Sequence, residues 1–124
     1  MLPIEYKCHT FGDTLGAIEV LERQTRKARR LFYTADWKLI EDPISTHGYR
    51  AEPRDPPPYL ADIVDWATYF GAALGTYMRV DFFGSPSGCV FNEFSSTPAD
   101  GKGWTPYCDE LFGTLWEERC PNTT

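Results

Sequence analysis

The sequence predicts an α+β fold, an antiparallel sheet with two main helices packed on it. Three observations carry that expectation. Residues 4–11 and 15–21 read as strands about a turn signal, and residues 77–83 and 89–94 are β-rich runs about a short loop of glycine, serine and proline. Residues 60–74 instead repeat apolar positions every three or four residues, the spacing of one helix face. A shorter helical pattern follows residue 105.

In chain order, Ile4-Glu5-Tyr6-Lys7-Cys8-His9-Thr10-Phe11 alternates polar and apolar side chains as a strand does, Gly12-Asp13-Thr14 is a turn, and Leu15 to Leu21 is the returning strand. The basic run Arg23-Gln24-Thr25-Arg26-Lys27-Ala28-Arg29-Arg30 reads as a solvated face. Leu31-Phe32-Tyr33 and Trp37-Lys38-Leu39-Ile40 are expected as short strands flanking Thr34-Ala35-Asp36. Residues 41–58 carry five prolines (Pro43, Pro53, Pro56, Pro57, Pro58) and predict an irregular surface connection. A helix then starts near Pro58 or Tyr59, with Leu60, Ile63, Val64, Ala67, Phe70 and Leu74 as its apolar stripe. Asp62 suits the positive end of its dipole, and Gly75 can close it in a left-handed conformation. Beyond the second hairpin, Ser95 to Gly103 is small, polar and glycine-rich. Thr105 is expected to cap the last helix, with Pro106 first, Asp109 and Glu110 in the early turns, and Leu111, Phe112, Leu115 and Trp116 on the apolar face. The tail from Cys120 to Thr124 is expected to fray.

The chain has 124 residues, enough for one domain with its own core, and 42% hydrophobic and 15% aromatic content fits a folded protein. A net charge of -6 argues against a general nucleic-acid partner, because phosphate neutralisation needs a basic surface. No apolar stretch approaches the roughly 20 residues of a membrane span, and no secretory signal opens the sequence. Cys8, Cys89, Cys108 and Cys120 form no Cys-x-x-Cys pair, so zinc is weakly supported and free thiols in a cytoplasmic protein are expected. His9 and His47 lie far apart, and Cys89 has no evident activating base. Phe32, Tyr33, Trp37, Trp66, Trp104 and Trp116 read as core or cleft walls rather than a stacking platform for bases.

The second hairpin carries the chemistry. If Phe83 pairs with Cys89, Asp81 faces Phe91 and Arg79 faces Glu93, so Arg79, Asp81 and Glu93 share a face. Asp81 and Glu93 are then diagonal neighbours, roughly 7–8 Å apart at Cα, within reach of one hard cation such as magnesium. Spacing alone equally allows a structural Arg79–Glu93 ion pair, and a one-residue slip would turn Glu93 to the other face.

Three stretches, in this order and spacing, carry a family likeness: Glu5-Tyr6-Lys7, then Arg30 through Trp37, then Arg79-Val80-Asp81-Phe82-Phe83 with Asn92-Glu93-Phe94-Ser95-Ser96-Thr97-Pro98. With the closing Gly113-Thr114-Leu115-Trp116 they resemble the C-terminal half of an ATP-grasp ligase, and more narrowly the TupA-like ATP-grasp family, associated with teichuronopeptide and other cell-surface polysaccharides. The resemblance implies that Asp81 and Glu93 hold magnesium on the phosphates of ATP. Ser95 stands as a third ligand, where many ATP-grasp enzymes have asparagine. Arg79 is implied as the catalytic cation beside the phosphates. Glu5 and Lys7 would line the nucleotide cleft, and Arg23 would face substrate.

The implied activity is an ATP- and magnesium-dependent joining of a carboxylate and an amine, one of them a small or polysaccharide-linked substrate. Residues 1–124 are expected to be a partial ATP-grasp domain, the C-terminal lobe, with 41–58 as a proline-rich connection inside it. The adenine-clamping lobe and its glycine-rich loop have no counterpart in this sequence. A partner chain or self-association is therefore expected, and an inactive or split remnant or a small α+β interaction protein remain the alternatives.

Overall fold

A computed structural model of the chain describes residues 3–23, 28–41, 49–96 and 106–120, with 106–109 described by backbone alone. The chain runs β1 (Glu5–Phe11), β2 (Thr14–Glu22), β3 (Arg29–Tyr33), β4 (Tyr49–Arg50), α1 (Leu60–Leu74), β5 (Tyr77–Ser85), β6 (Gly88–Ser95) and α2 (Pro106–Arg119). The strands form one sheet in the order β4-β3-β2-β1-β5-β6. Every pairing is antiparallel except the short parallel one between β3 and β4. The α+β class expected from the sequence is the class observed.

Alternation along the strands gives the sheet two unlike faces. One face presents Tyr6, Cys8, Ile18, Val20, Leu31, Tyr33, Val80 and Phe82, and α1 seals it with Ile63 and Ala67. Gly71 completes the contact, because a Cβ there would fall 2.3 Å from the Gly12 carbonyl oxygen and 2.9 Å from Thr10. Gly75 ends α1 at φ 69°, as its position predicts, and donates to the Gly71 carbonyl. Leu74, expected on the apolar stripe, lies at the helix end and is exposed. The opposite face is covered at one end by α2, where Leu111 and Phe112 meet Ala17 and Phe32, and Phe112 and Leu115 meet Phe11 and Tyr77.

Two expectations need correction. Trp37 to Ile40 is not a strand; it touches β3 through the single Tyr33–Leu39 bridge. Trp37 adopts φ 63°, and its N–H donates to the Thr34 carbonyl in a tight turn. That turn lays the indole flat on Tyr33 (4.0 Å between centroids, 8° between planes) and lets its N–H donate to the Arg54 carbonyl. Aromatic stacking and this bond override the strand propensity of the sequence. Cys120, expected in a frayed tail, is buried beside Phe11 and Tyr77. The irregular connection includes the two-residue strand β4 and a buried Ala51. Residues 24–27, 42–48, 97–105 and 121–124, including His47, Trp104 and the Thr105 cap, lie outside the described residues.

Candidate functional site

The face that α2 leaves open is a bed of charge spread over four strands. The register sets Lys7 of β1 between two carboxylates, Asp81 across the β5 pairing and Glu19 across the β2 pairing. Asp81 is in turn paired with Glu93 of β6. One row across the sheet therefore reads Glu93, Asp81, Lys7, Glu19. Arg79 and Ser95 face each other in the neighbouring row, where His9 is also paired with Arg79. Glu5 lies one row to the other side, on the same face.

The hairpin reaches this arrangement by a different route from the one its spacing suggests. Phe83 pairs with Val90 rather than Cys89, and Phe82 with Phe91. Continued regularly, that register would turn Glu93 away from Asp81. A bulge intervenes between Asp81 and Phe82, with Asn92 the extra residue, and it returns Glu93 to the Asp81 face. Asp81 and Glu93 are thus direct partners, not diagonal ones, and Arg79 faces Ser95, not Glu93.

Arg79 grips Asp81 with two bonds, Nε to Oδ1 at 2.9 Å and Nη2 to Oδ2 at 2.8 Å, while Glu93 Oε1 stands 4.0 Å from Nη2. The Arg79–Glu93 contact is therefore the minor one. Burial opposes the charge on Arg79, but the hydrogen bonds and charge of Asp81 outweigh it and raise the guanidinium above its ordinary value. Asp81 is not equally compensated. Burial is the largest influence and pushes its carboxyl above the ordinary range despite Arg79 and Lys7, with Glu93 adding to the rise. The asymmetry follows depth: the side chain of Asp81 is 1% exposed and that of Arg79 13%.

Glu19 was not singled out by the sequence reading, although a lone carboxylate between Ala17 and Leu21 on a core strand was a signal. It is buried, and it accepts from Arg30 Nη1 at 2.7 Å and lies 3.3 Å from His9 Nε2. Burial works against its ionisation, yet His9, Arg30 and Lys7 together hold its carboxyl below the usual range. The other imidazole nitrogen of His9 meets the Tyr77 hydroxyl at 2.8 Å, so His9 is a satisfied core histidine. Arg23 Nε donates to Glu5 at 2.5 Å. Arg23, Arg30 and Arg79 are each paired with a carboxylate, whereas Lys7 enters no ion pair among the described residues.

The donor chemistry suits a hard cation: two opposed carboxylates, one of them buried and short of positive charge. Glu93, with its side chain 58% exposed, is open to solvent. Each Asp81 oxygen accepts one bond from Arg79 and keeps a further lone pair that a cation could take. Among the described residues, no three acidic, histidine or cysteine side chains already converge as a metal cage.

A family model described as TupA-like ATPgrasp matches residues 4–116. No curated protein and no solved structure matches the chain. Among the described residues, no helix is long and apolar enough to cross a membrane.

Proposed function

The chain belongs to the TupA-like ATP-grasp family, a ligase-type family, and on that premise we propose that its open charged face is the phosphate-and-metal wall of an ATP site. The observation that carries this reading is the Asp81–Glu93 pair beside an arginine that already holds one of the two carboxylates. Magnesium would sit on Asp81 and Glu93, with the Ser95 hydroxyl nearby, and would supply charge neutralisation for the phosphates. Arg79 turns from Asp81 to phosphate oxygens, exchanging one anionic partner for another. Lys7, which enters no ion pair among the described residues, takes a second phosphate contact, and Glu5 and Arg23 border the cleft.

The reaction is a carboxylate–amine ligation. A substrate carboxylate oxygen attacks the γ-phosphorus of ATP, ADP leaves, the amine then attacks the acyl carbon, and phosphate leaves. Such chemistry asks the protein chiefly for positioning and charge, which a cation site, an arginine and a lysine supply without a covalent nucleophile. The family's association with cell-surface polysaccharide supports an acceptor or donor of that kind, handled in the cytoplasm. The completing lobe would come from a partner chain or from another part of the same protein.

Calorimetric titration tests the reading. Mg-ATP is expected to bind the wild type and to bind Asp81→Asn and Glu93→Gln at least about tenfold more weakly, about 1.4 kcal/mol. Arg79→Gln is expected to split two affinities: tighter for Mn²⁺ alone, because Asp81 is released, and weaker for Mg-ATP. No heat with wild type, or variants that match it, would sink the assignment; binding without turnover in the presence of amines and carboxylates would favour the inactive or split alternative.

A further inference from the structure

On the face opposite the charged bed, α1 and β6 frame a cavity of about 290 Å³ lined by Trp66, Phe70, Phe82, Cys89 and Phe91. Its rings are in mutual contact: Trp66 stacks on Phe70 at 5.6 Å and 25°, and Phe70 lies 5.8 Å from Phe91. Phe82 at its base is a core residue, but the rim is open. Trp66 is 51% and Phe91 45% exposed, so the aromatic surface is offered to a partner rather than sealed.

The two elements that frame the cavity bring no cation to it: α1 carries Asp62 and Asp65 and no lysine or arginine, and Glu93, the one charged residue of β6, lies on the opposite face beside Asp81. Asp62 lies one helical turn before Trp66, on the same side of α1. Burial is the main cause of the rise of the Cys89 thiol, and the charge of Asp62 adds to it. Neither aspartate enters an ion pair among the described residues. Beside the cavity, β6 is the last strand of the sheet, and its outer edge is unpaired among the described residues.

We propose that this aromatic cavity, with Asp62 beside Trp66 at its rim, receives an arginine side chain from an extended segment of a partner protein, which adds to β6 as a further strand. A guanidinium on the face of Trp66 gains cation–π attraction, and the Asp62 carboxylate one turn away favours it over any anionic group. Backbone pairing along an exposed edge, with alternate side chains entering a pocket, is an established mode of peptide capture. The site lies on the opposite face from the nucleotide wall and does not depend on that assignment.

The probe is the acetylated, amidated hexapeptide of alternating valine and arginine, titrated by calorimetry beside the same peptide with citrulline, which keeps the shape and loses the charge. The arginine peptide is expected to bind the wild type and to lose about tenfold or more in Trp66→Ala, in Phe91→Ala and on replacement by citrulline. Asp62→Asn is expected to weaken it severalfold and flatten its salt dependence. Thermal melting of each exposed-residue variant separates lost binding from lost fold. Equal affinity for the citrulline peptide, or no binding by wild type, overturns the proposal. Association with lipid vesicles, or a dimer abolished by Trp66→Ala, without peptide binding assigns the surface to a membrane or to a second copy and equally overturns it.

Discussion

At the scale of single residues, the site turns on how each buried charge is compensated. Glu19 is the clearest case, held by Arg30 and His9 and influenced by Lys7. Its carboxyl is depressed in the fold, so it contributes stability above its unfolded value of about 4.3, and that contribution is lost as pH falls through the lower folded value. Removing the carboxylate takes the counterion from half-buried Arg30 and one of the hydrogen-bond partners from buried His9. Glu19→Ala is therefore expected to cost about 3 kcal/mol in urea denaturation at neutral pH. Glu19→Gln should flatten the fall of the melting temperature below about pH 5. An unchanged acid limb would show that another carboxylate governs it. Asp81 has the opposite sign: burial raises its carboxyl, so its ionisation works against the fold as pH rises.

At the scale of elements, periodicity revealed most of the structure and bulges the least. The stripe from Leu60 to Phe70 and the closing Gly75 were legible because a helix repeats its core contacts. The strands were legible from alternation and from Gly12 and the loop before Gly88. What the sequence did not disclose was the pairing of β5 with β6, because register depends on which residue is left unpaired, and nothing in Phe91-Asn92-Glu93 marks Asn92 as that residue. The shared face of Arg79, Asp81 and Glu93 was reached from a register that does not occur, and the bulge restored it. The turn at Trp37 escaped for a related reason: a left-handed tryptophan is held by Tyr33 and Arg54, contacts invisible to a local reading. A prediction follows from counting. Deleting Asn92 removes the bulge yet leaves Glu93 opposite Asp81, so Mg-ATP binding is expected to survive. Inserting one glycine between Asn92 and Glu93 with the bulge kept sets Glu93 against Val80, on the other face, and is expected to abolish it. Calorimetry on both variants, with a melting curve for each, checks the pair of outcomes.

At the scale of the whole molecule, a net charge of -6 conceals two very different surfaces. One carries ion pairs and Lys7, which enters none among the described residues; the other carries aromatic rings with Asp62 beside them. They are back to back across one sheet, α1 and α2 dividing them, so each can be altered without touching the other. The strand that carries Glu5, Lys7 and His9 is also the one with β2 on one side and β5 on the other. Its amides are locked from both sides, whereas those of β6 have one neighbouring strand. Native-state hydrogen exchange should therefore be slowest in Tyr6 to Thr10, with the opening free energy of the whole domain, and faster along β6. Equal protection in both strands would mean that the sheet opens as one unit. Graded protection would carry a consequence for timing: Glu93 could leave and rejoin while Lys7 stays fixed, so the proposed cation side of the cleft could breathe without surrendering its anchor.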